Sequence, residues 1–306
     1  MLRLSSCHFP LRLNLRFHCS PSPHTFTLSS LAVGFFDGVH LGHQAILRGA
    51  DAALTFRNHP LTVLAPERAP RLVMSCEERV AAIRACGVGE VTVLDFTPEL
   101  AELSPEAFVS RYLSSSVSHL SSSVRCGANW RFGKDGAGDA EFLRKMGIEV
   151  IVVPFAEYKG KAISSSRIRA ALERGEIEDA NAMLGRRFQV SGFRFQGKGL
   201  GRKIGYPTAN LQLSTSTSSL HLPLGVYEVE VDGLRGIANY GLAPTMGDKA
   251  WHEPAMEIHF FHCPPPPLSS TSVNVGLLRF IRKEMKFDSV ADLQRQIAAD
   301  CAKINL

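Results

Sequence analysis

The apolar periodicity of this chain changes once, near Gly185, and that change constrains the fold more than any other feature. Before it, short apolar runs alternate with stretches of helical pattern. After it, period-2 runs follow one another between Gly and Pro loops. The first pattern predicts a parallel, doubly wound α/β sheet. The second predicts a small antiparallel β-barrel or sandwich. Strands are expected over 27–33, 51–56, 90–96, 124–130 and 148–155, with helices over 39–48, 77–87, 104–113 and 138–147. Residues 164–185 read as a pair of short helices. The runs QVSGFRF, GVYEVEV, LRGIANY, AMEIHFF and VNVGLLRFI read as strands, and 290–304 as a closing amphipathic helix. The stretches 114–123, 214–219 and 263–272, rich in Ser or Pro, are expected as loops. This gives a tail over 1–26, a first domain over 27–184 and a second over 185–306, a division that suits 306 residues.

Composition narrows the class. Apolar residues make up 45% of the chain, and no apolar run approaches the roughly 20 residues that a membrane helix needs. The net charge is +5, and Arg3, Arg12 and Arg16 lie in a segment without Asp or Glu. The remainder is only mildly basic, so neither a nucleic-acid surface nor a membrane partner is expected. A modest positive balance suits polyphosphate ligands, and a homo-oligomer stays open. The seven cysteines form no CxxC pair, which argues for a reducing compartment and a cytoplasmic protein. The alternative is an organelle, should residues 1–30 serve as a transit peptide. His259, His262 and Cys263 could be taken for a metal cluster, but EIHFFH reads better as a strand.

Three strings carry chemistry. GFFDGVHLGH (34–43) follows a predicted strand and opens a helix, at the carboxyl edge of the expected sheet. Backbone amides there favour phosphate. His40 and His43 can donate hydrogen bonds to an α-phosphate as charge builds. Gly34 and Gly42 let backbone approach a nucleotide, Asp37 can order the turn, and Phe36 belongs to the same contact string. ISSSRIR (163–169) adds hydroxyls of Ser165 and Ser166 and the planar charge of Arg169, suited to a phosphate loop. Trp130 and Phe132 could line a flat ring pocket. In GKGLGRKIGYPTANL (197–211), Gly197 and Gly199 begin a flap over phosphates, followed by Arg202 and Pro207. It is not a Walker loop. Thr208 and Asn210 then offer hard oxygens suited to Mg²⁺ shared with a nucleotide.

At these residues the sequence resembles the bacterial bifunctional riboflavin kinase/FMN adenylyltransferase family, or FAD synthetases. The strings that carry the resemblance are GFFDGVHLGH, FRNHP, GANWRFG, ISSSRIR, GRKIGYPTANL, GVYEV, MEIHF and FIRKEMKFDS. The resemblance implies ATP-dependent phosphorylation of riboflavin to FMN by the second domain. It implies adenylylation of FMN to FAD by the first, with release of pyrophosphate. It also implies that His40 and His43 contact ATP phosphates, that Asn129 holds nucleotide or flavin, and that Ser165, Ser166 and Arg169 form the phosphate loop. Glu257 is implied as the base of the kinase, and Arg282 as a neighbour of the flavin or its phosphate. Riboflavin, FMN and ATP are then the small-molecule partners, with Mg²⁺ as cofactor. The stretch between His43 and Thr55 is short for a crossover. The alternative reading is therefore a riboflavin kinase with a defective adenylyltransferase domain.

Overall fold

The computed structural model describes residues 30–113, 123–196, 200–214, 222–242, 254–261 and 272–304. The tail 1–26, most of the three expected loops, Gly197, Gly199, His262 and Cys263 lie outside the described residues.

Five strands form the first sheet: β1 Ser30–Val33, β2 Ala52–Phe56, β3 Glu90–Leu94, β4 Ser123–Gly127 and β5 Glu149–Val153. All pair in parallel, in the order β3-β2-β1-β4-β5. The chain between them carries α1 Leu41–Leu47, α2 Leu61–Leu64, α3 Cys76–Ala85, α4 Pro98–Ala101, α5 Pro105–Phe108 and α6 Ala140–Lys145. A parallel sheet must be covered on both faces, and side-chain alternation shows that this one is. Leu31, Val33 and Leu54 pack with Leu100, Phe108 and Leu143 on one face. Ala32 and Ala53 pack with Leu47 and Ile83 on the other. Ser75 caps α3 through a reciprocal capping box with Glu78. The helix expected over 104–113 is α-helical only as far as Phe108 and continues as a π turn, Val109–Leu113.

The link from β1 to β2 is complete despite its length. The seven-residue α1 suffices as its helix. Its return is pinned at Asp51, whose backbone N–H donates to the Ser30 carbonyl at 3.0 Å and whose carboxylate accepts from the Ser30 N–H at 3.0 Å. The crossover gives no support to a spoiled first domain.

A hairpin, β6 Glu157–Tyr158 and β7 Lys161–Ala162, leads into α7 Ser165–Glu173 and α8 Ile177–Leu184. The barrel follows: β8 Phe188–Phe195, β9 Thr208–Leu213, β10 Gly225–Val231, β11 Leu234–Leu242, β12 Pro254–Phe260 and β13 Ser272–Lys283, with the short α9 Leu200–Lys203 between β8 and β9. It closes in the order β10-β11-β12-β9-β8-β13, so the sandwich alternative drops out and no described strand of it is a free edge. The last helix, Val290–Ala302, is α10 here and begins at a Ser289 cap. EIHF lies in β12, as expected of a strand.

One apolar cluster joins the two halves. Ile168, Leu172, Ile177 and Met183 of the α7–α8 pair pack with the barrel interior, including Val190, Leu211 and Leu277. Asn181 fastens the same pair: its amide donates to Leu277 O at 2.9 Å, and its carbonyl oxygen accepts from the Phe188 N–H at 2.6 Å.

Candidate active sites

The strand order reverses beside β1, so the crevice beyond its carboxyl end is where a doubly wound sheet binds ligands. The string 34–43 occupies that place. His40 is the cap of α1: its Nδ1 accepts the His43 backbone N–H at 3.3 Å. Nδ1 is therefore unprotonated and the ring hydrogen is on Nε2, a donor. The two imidazoles stack at 3.6 Å between centroids. Burial lowers the pKa of His40 to about 4, with its own backbone and Arg186 as smaller influences. His43 is also pushed well down, by burial first and then by His40 and Arg79. Its Nδ1 is enclosed without a partner among the described residues. Both rings are thus neutral near pH 7. Gly42 packs closely on the His40 ring: a Cβ there would lie 3.2 Å from it and would press on the imidazole.

Two members of this string are turned into the protein. The Phe36 side chain is fully buried among Val39, Leu47 and Ile83, so its ring is core rather than ligand contact. The Asp37 carboxylate, 2% exposed as a residue, accepts the Val73 N–H at 2.9 Å and pairs with Arg169 at 2.7 Å. Burial raises its pKa while Arg169 works against that rise. Arg169 is correspondingly held, donating also to Ser166 Oγ at 3.0 Å. Ser165 Oγ donates to Asp37 O at 2.9 Å, and the cap of α7 is Ser164. The ISSSRIR loop therefore lies against the histidine turn, closed onto it by side-chain contacts.

Beside this turn is a cleft of about 180 Å³ lined by Val33, Gly34, Phe56, Phe96, Trp130 and Phe132, among others. Trp130 and Phe132 stack at 4.6 Å, giving it an aromatic wall, while Phe132 also belongs to the core. Asn129 is exposed in the turn just before Trp130. Sequence reasoning missed Arg79, which is 0% exposed. Its guanidinium lies 4.2 Å over the Phe35 ring and donates to Phe56 O and Arg57 O. Its single distinguishing signal was an Arg at a buried position of a helix.

The second site is a row across the outside of the barrel. Along β9, Ala209 and Leu211 point inward, which turns Thr208 and Asn210 outward. Asn210 stands opposite Glu257 of β12, and Thr208 opposite His259. On the other side Glu257 faces Asn239 of β11, a residue the sequence did not single out. The Glu257 side chain is open to solvent, yet neighbouring strands desolvate its carboxyl and raise its pKa. Pro207 O accepts from His259 Nδ1 at 3.1 Å, which steadies the entry to β9. Gly201 of α9 lies so close that a Cβ there would be 2.3 Å from Tyr206 O and 3.2 Å from Thr208 Oγ1. Arg202 is exposed on the same short helix. Arg282 is held within the chain: its guanidinium pairs with the buried Asp300 of α10 at 2.7 Å and donates to Lys283 O at 3.0 Å, so it ties helix to barrel.

The family model described as FAD synthetase matches residues 23–167, and the one described as riboflavin kinase matches 184–305. The bifunctional riboflavin kinase/FMN adenylyltransferase of Bacillus subtilis is 33% identical over 293 residues, covering 89% of this chain and 90% of that one. The protein of the same description from Escherichia coli K12 is 34% identical over 291 residues, covering 88% and 90%. A crystal structure described as a macrolide-efflux protein from Streptococcus pneumoniae superposes with a TM-score of 0.79 at 31% identity, covering 92% of this chain and 96% of that one. Among the described residues no helix is long and apolar enough to cross a membrane.

Proposed function

Because the chain belongs to the bifunctional riboflavin kinase/FMN adenylyltransferase family, we propose that it makes FAD from riboflavin in two steps. ATP and riboflavin give FMN and ADP, and a second ATP and FMN give FAD and pyrophosphate. The observation that supports this most is the presence of two separate constellations, each suited to one step.

In the first step the riboflavin 5′-hydroxyl attacks the γ-phosphorus of ATP, Glu257 takes the hydroxyl proton, and ADP leaves as the bond to the bridging oxygen breaks. The raised pKa of its carboxyl makes it a better base. Thr208 and Asn210, whose side-chain oxygens face outward beside Glu257, would hold Mg²⁺ together with the ATP phosphates. When bound, the ion neutralises charge on the transferring group. Arg202, exposed on the short α9, is suited to the phosphates, and Pro207 sets the entry to β9.

In the second step an FMN phosphate oxygen attacks the α-phosphorus of ATP, and pyrophosphate leaves. His40 and His43, neutral and held by stacking, donate hydrogen bonds to α-phosphate oxygens as negative charge grows. The flavin ring takes the aromatic cleft beside Gly34, and Asn129 lies in the exposed turn just before Trp130 of that cleft. Ser165, Ser166 and Arg169 close over the phosphates, with Arg169 exchanging part of its hold on Asp37 for the nucleotide. The domains are those set at 27–184 and 185–306. The enzyme is cytoplasmic and acts on small molecules, with no nucleic-acid partner.

The test is one chromatographic time course with riboflavin, ATP and Mg²⁺. FMN that rises and then converts to FAD is expected. FMN that accumulates without FAD would overturn the second step, and no product at all would overturn both.

A further inference from the structure

The histidine turn of the adenylyl site is held in a conformation that its own sequence does not favour. Phe36, Gly38 and Val39 all have positive φ, at 59°, 81° and 40°. For Phe and a β-branched Val this region is rarely visited, and such residues persist only where their surroundings over-determine them. The holds come from three places. Gln44 of α1 donates to Val39 O at 2.9 Å. Ser165 of α7 donates to Asp37 O at 2.9 Å. Arg186, between α8 and β8, donates from Nη2 to Gly38 O at 2.8 Å and from Nη1 to Val39 O at 3.3 Å. Gln44 also donates to Leu184 O at 2.9 Å, so the turn is stitched twice to the segment that leads into the barrel. Arg186 alone grips two successive carbonyls at the strained positions, immediately before His40.

We propose that Arg186 is a positioning residue for adenylyl transfer. It fixes the left-handed turn that aims His40 and His43, so a side chain from the segment matched as riboflavin kinase completes the adenylyl site. The inference rests on the adenylyl-transfer reading above. Arg186 touches neither reacting atom; it acts through the geometry of the turn and through its charge. Asp37 and His43 flank His40 in its own segment. Arg169 of α7 is spent on Asp37, and Arg79 of α3 acts on His43 and Asp37. Arg186 is the cation that acts on His40 itself, and it disfavours protonation there.

The experiment uses the full chain with Arg186→Ala and Arg186→Lys. FAD formation from FMN and ATP is followed across the acid range, and FMN formation from riboflavin is followed on the same preparations. A misaimed turn predicts that Arg186→Ala loses kcat for adenylylation by about 100-fold. KM for FMN and the rate of riboflavin phosphorylation stay within about twofold, as expected when an interaction made only in the transition state is lost. The acid limb of adenylylation moves to higher pH in Arg186→Ala, because the cation beside His40 is gone. Arg186→Lys, which keeps the charge but not the two-carbonyl grip, leaves the limb in place and recovers part of kcat. An unchanged adenylylation rate in Arg186→Ala would overturn the proposal. So would an equal fall in both activities, or the same shift of the limb in both variants. Wild-type protein that makes FMN but no FAD would bring down the adenylyl-transfer reading itself. Wild-type FAD synthesis with an unaffected Arg186→Ala variant would bring down the role of Arg186 alone.

Discussion

Glu257 shows how little a single residue announces by itself. In the sequence it is one acid in an alternating strand, which is ordinarily a solvated position. On the barrel it stands between Asn210 and Asn239, beside the neighbouring pair of Thr208 and His259. Glu257→Gln keeps the shape and removes the base. Riboflavin phosphorylation is expected to fall by roughly 10²–10⁴-fold, while conversion of supplied FMN to FAD continues. A chromatographic rate assay on each substrate decides it, and a fall in both would sink the assignment. The histidines give a second prediction at this scale, in stability. Both have native pKa values below the ordinary 6.5, chiefly because they are buried. The unfolded chain therefore binds more protons below pH 6.5, and stability that is complete above that pH is lost as pH falls toward about 4. Each histidine contributes a slope of up to about 1.4 kcal/mol per pH unit in that window. Urea midpoints of the wild type should drop more steeply with acid than those of His40→Asn. Parallel slopes would contradict this.

Among the elements, α10 depends on one contact more than its amphipathic face suggests. Asp300 is 1% exposed and paired with Arg282, and it also accepts from Gln296 Nε2 at 2.9 Å. Removing one partner of a buried pair costs about 3–5 kcal/mol. Arg282→Ala should lower the denaturation midpoint accordingly and speed amide exchange across 290–302; protection as slow as wild type would refute the tie. This contact also marks the limit of sequence reading. The strands, α3, α7, α8 and α10 were legible because apolar period, capping Ser residues and Gly stops all act locally. β9 was hidden because TANLQL was read for its ligand oxygens, although its alternation of Ala209, Leu211 and Leu213 matches that of the other strands. The hairpin β6–β7, two residues a side, carries no periodic signal. The partners of Asp37, Arg169 and Arg282 were illegible for a different reason: each is set by packing between segments far apart in sequence. The histidine turn was found by its spacing, but nothing in GFFDGVHLGH names Arg186 as its holder.

Across the molecule, the sheet and the barrel share the α7–α8 pair, whose apolar side chains belong to the barrel's cluster while Ser165 and Arg169 serve the histidine turn. Sharing of this kind couples unfolding. The chain is expected to melt in one cooperative transition, with circular dichroism and intrinsic fluorescence reporting the same midpoint. Two resolved transitions would show that the helices belong energetically to one half only.

The same sharing acts during synthesis. The sheet, α7 and α8 leave the ribosome first, but the Leu277 carbonyl that Asn181 grips follows 96 residues later, which at about 5–20 residues per second is an interval of roughly 5–20 seconds. Through that interval a nascent chain with a finished sheet carries an apolar helical face that has nothing yet to cover it. The closing strand of the barrel therefore ends the chain's exposure to chaperones and proteases, and a message truncated before β13 yields a product that quality control removes.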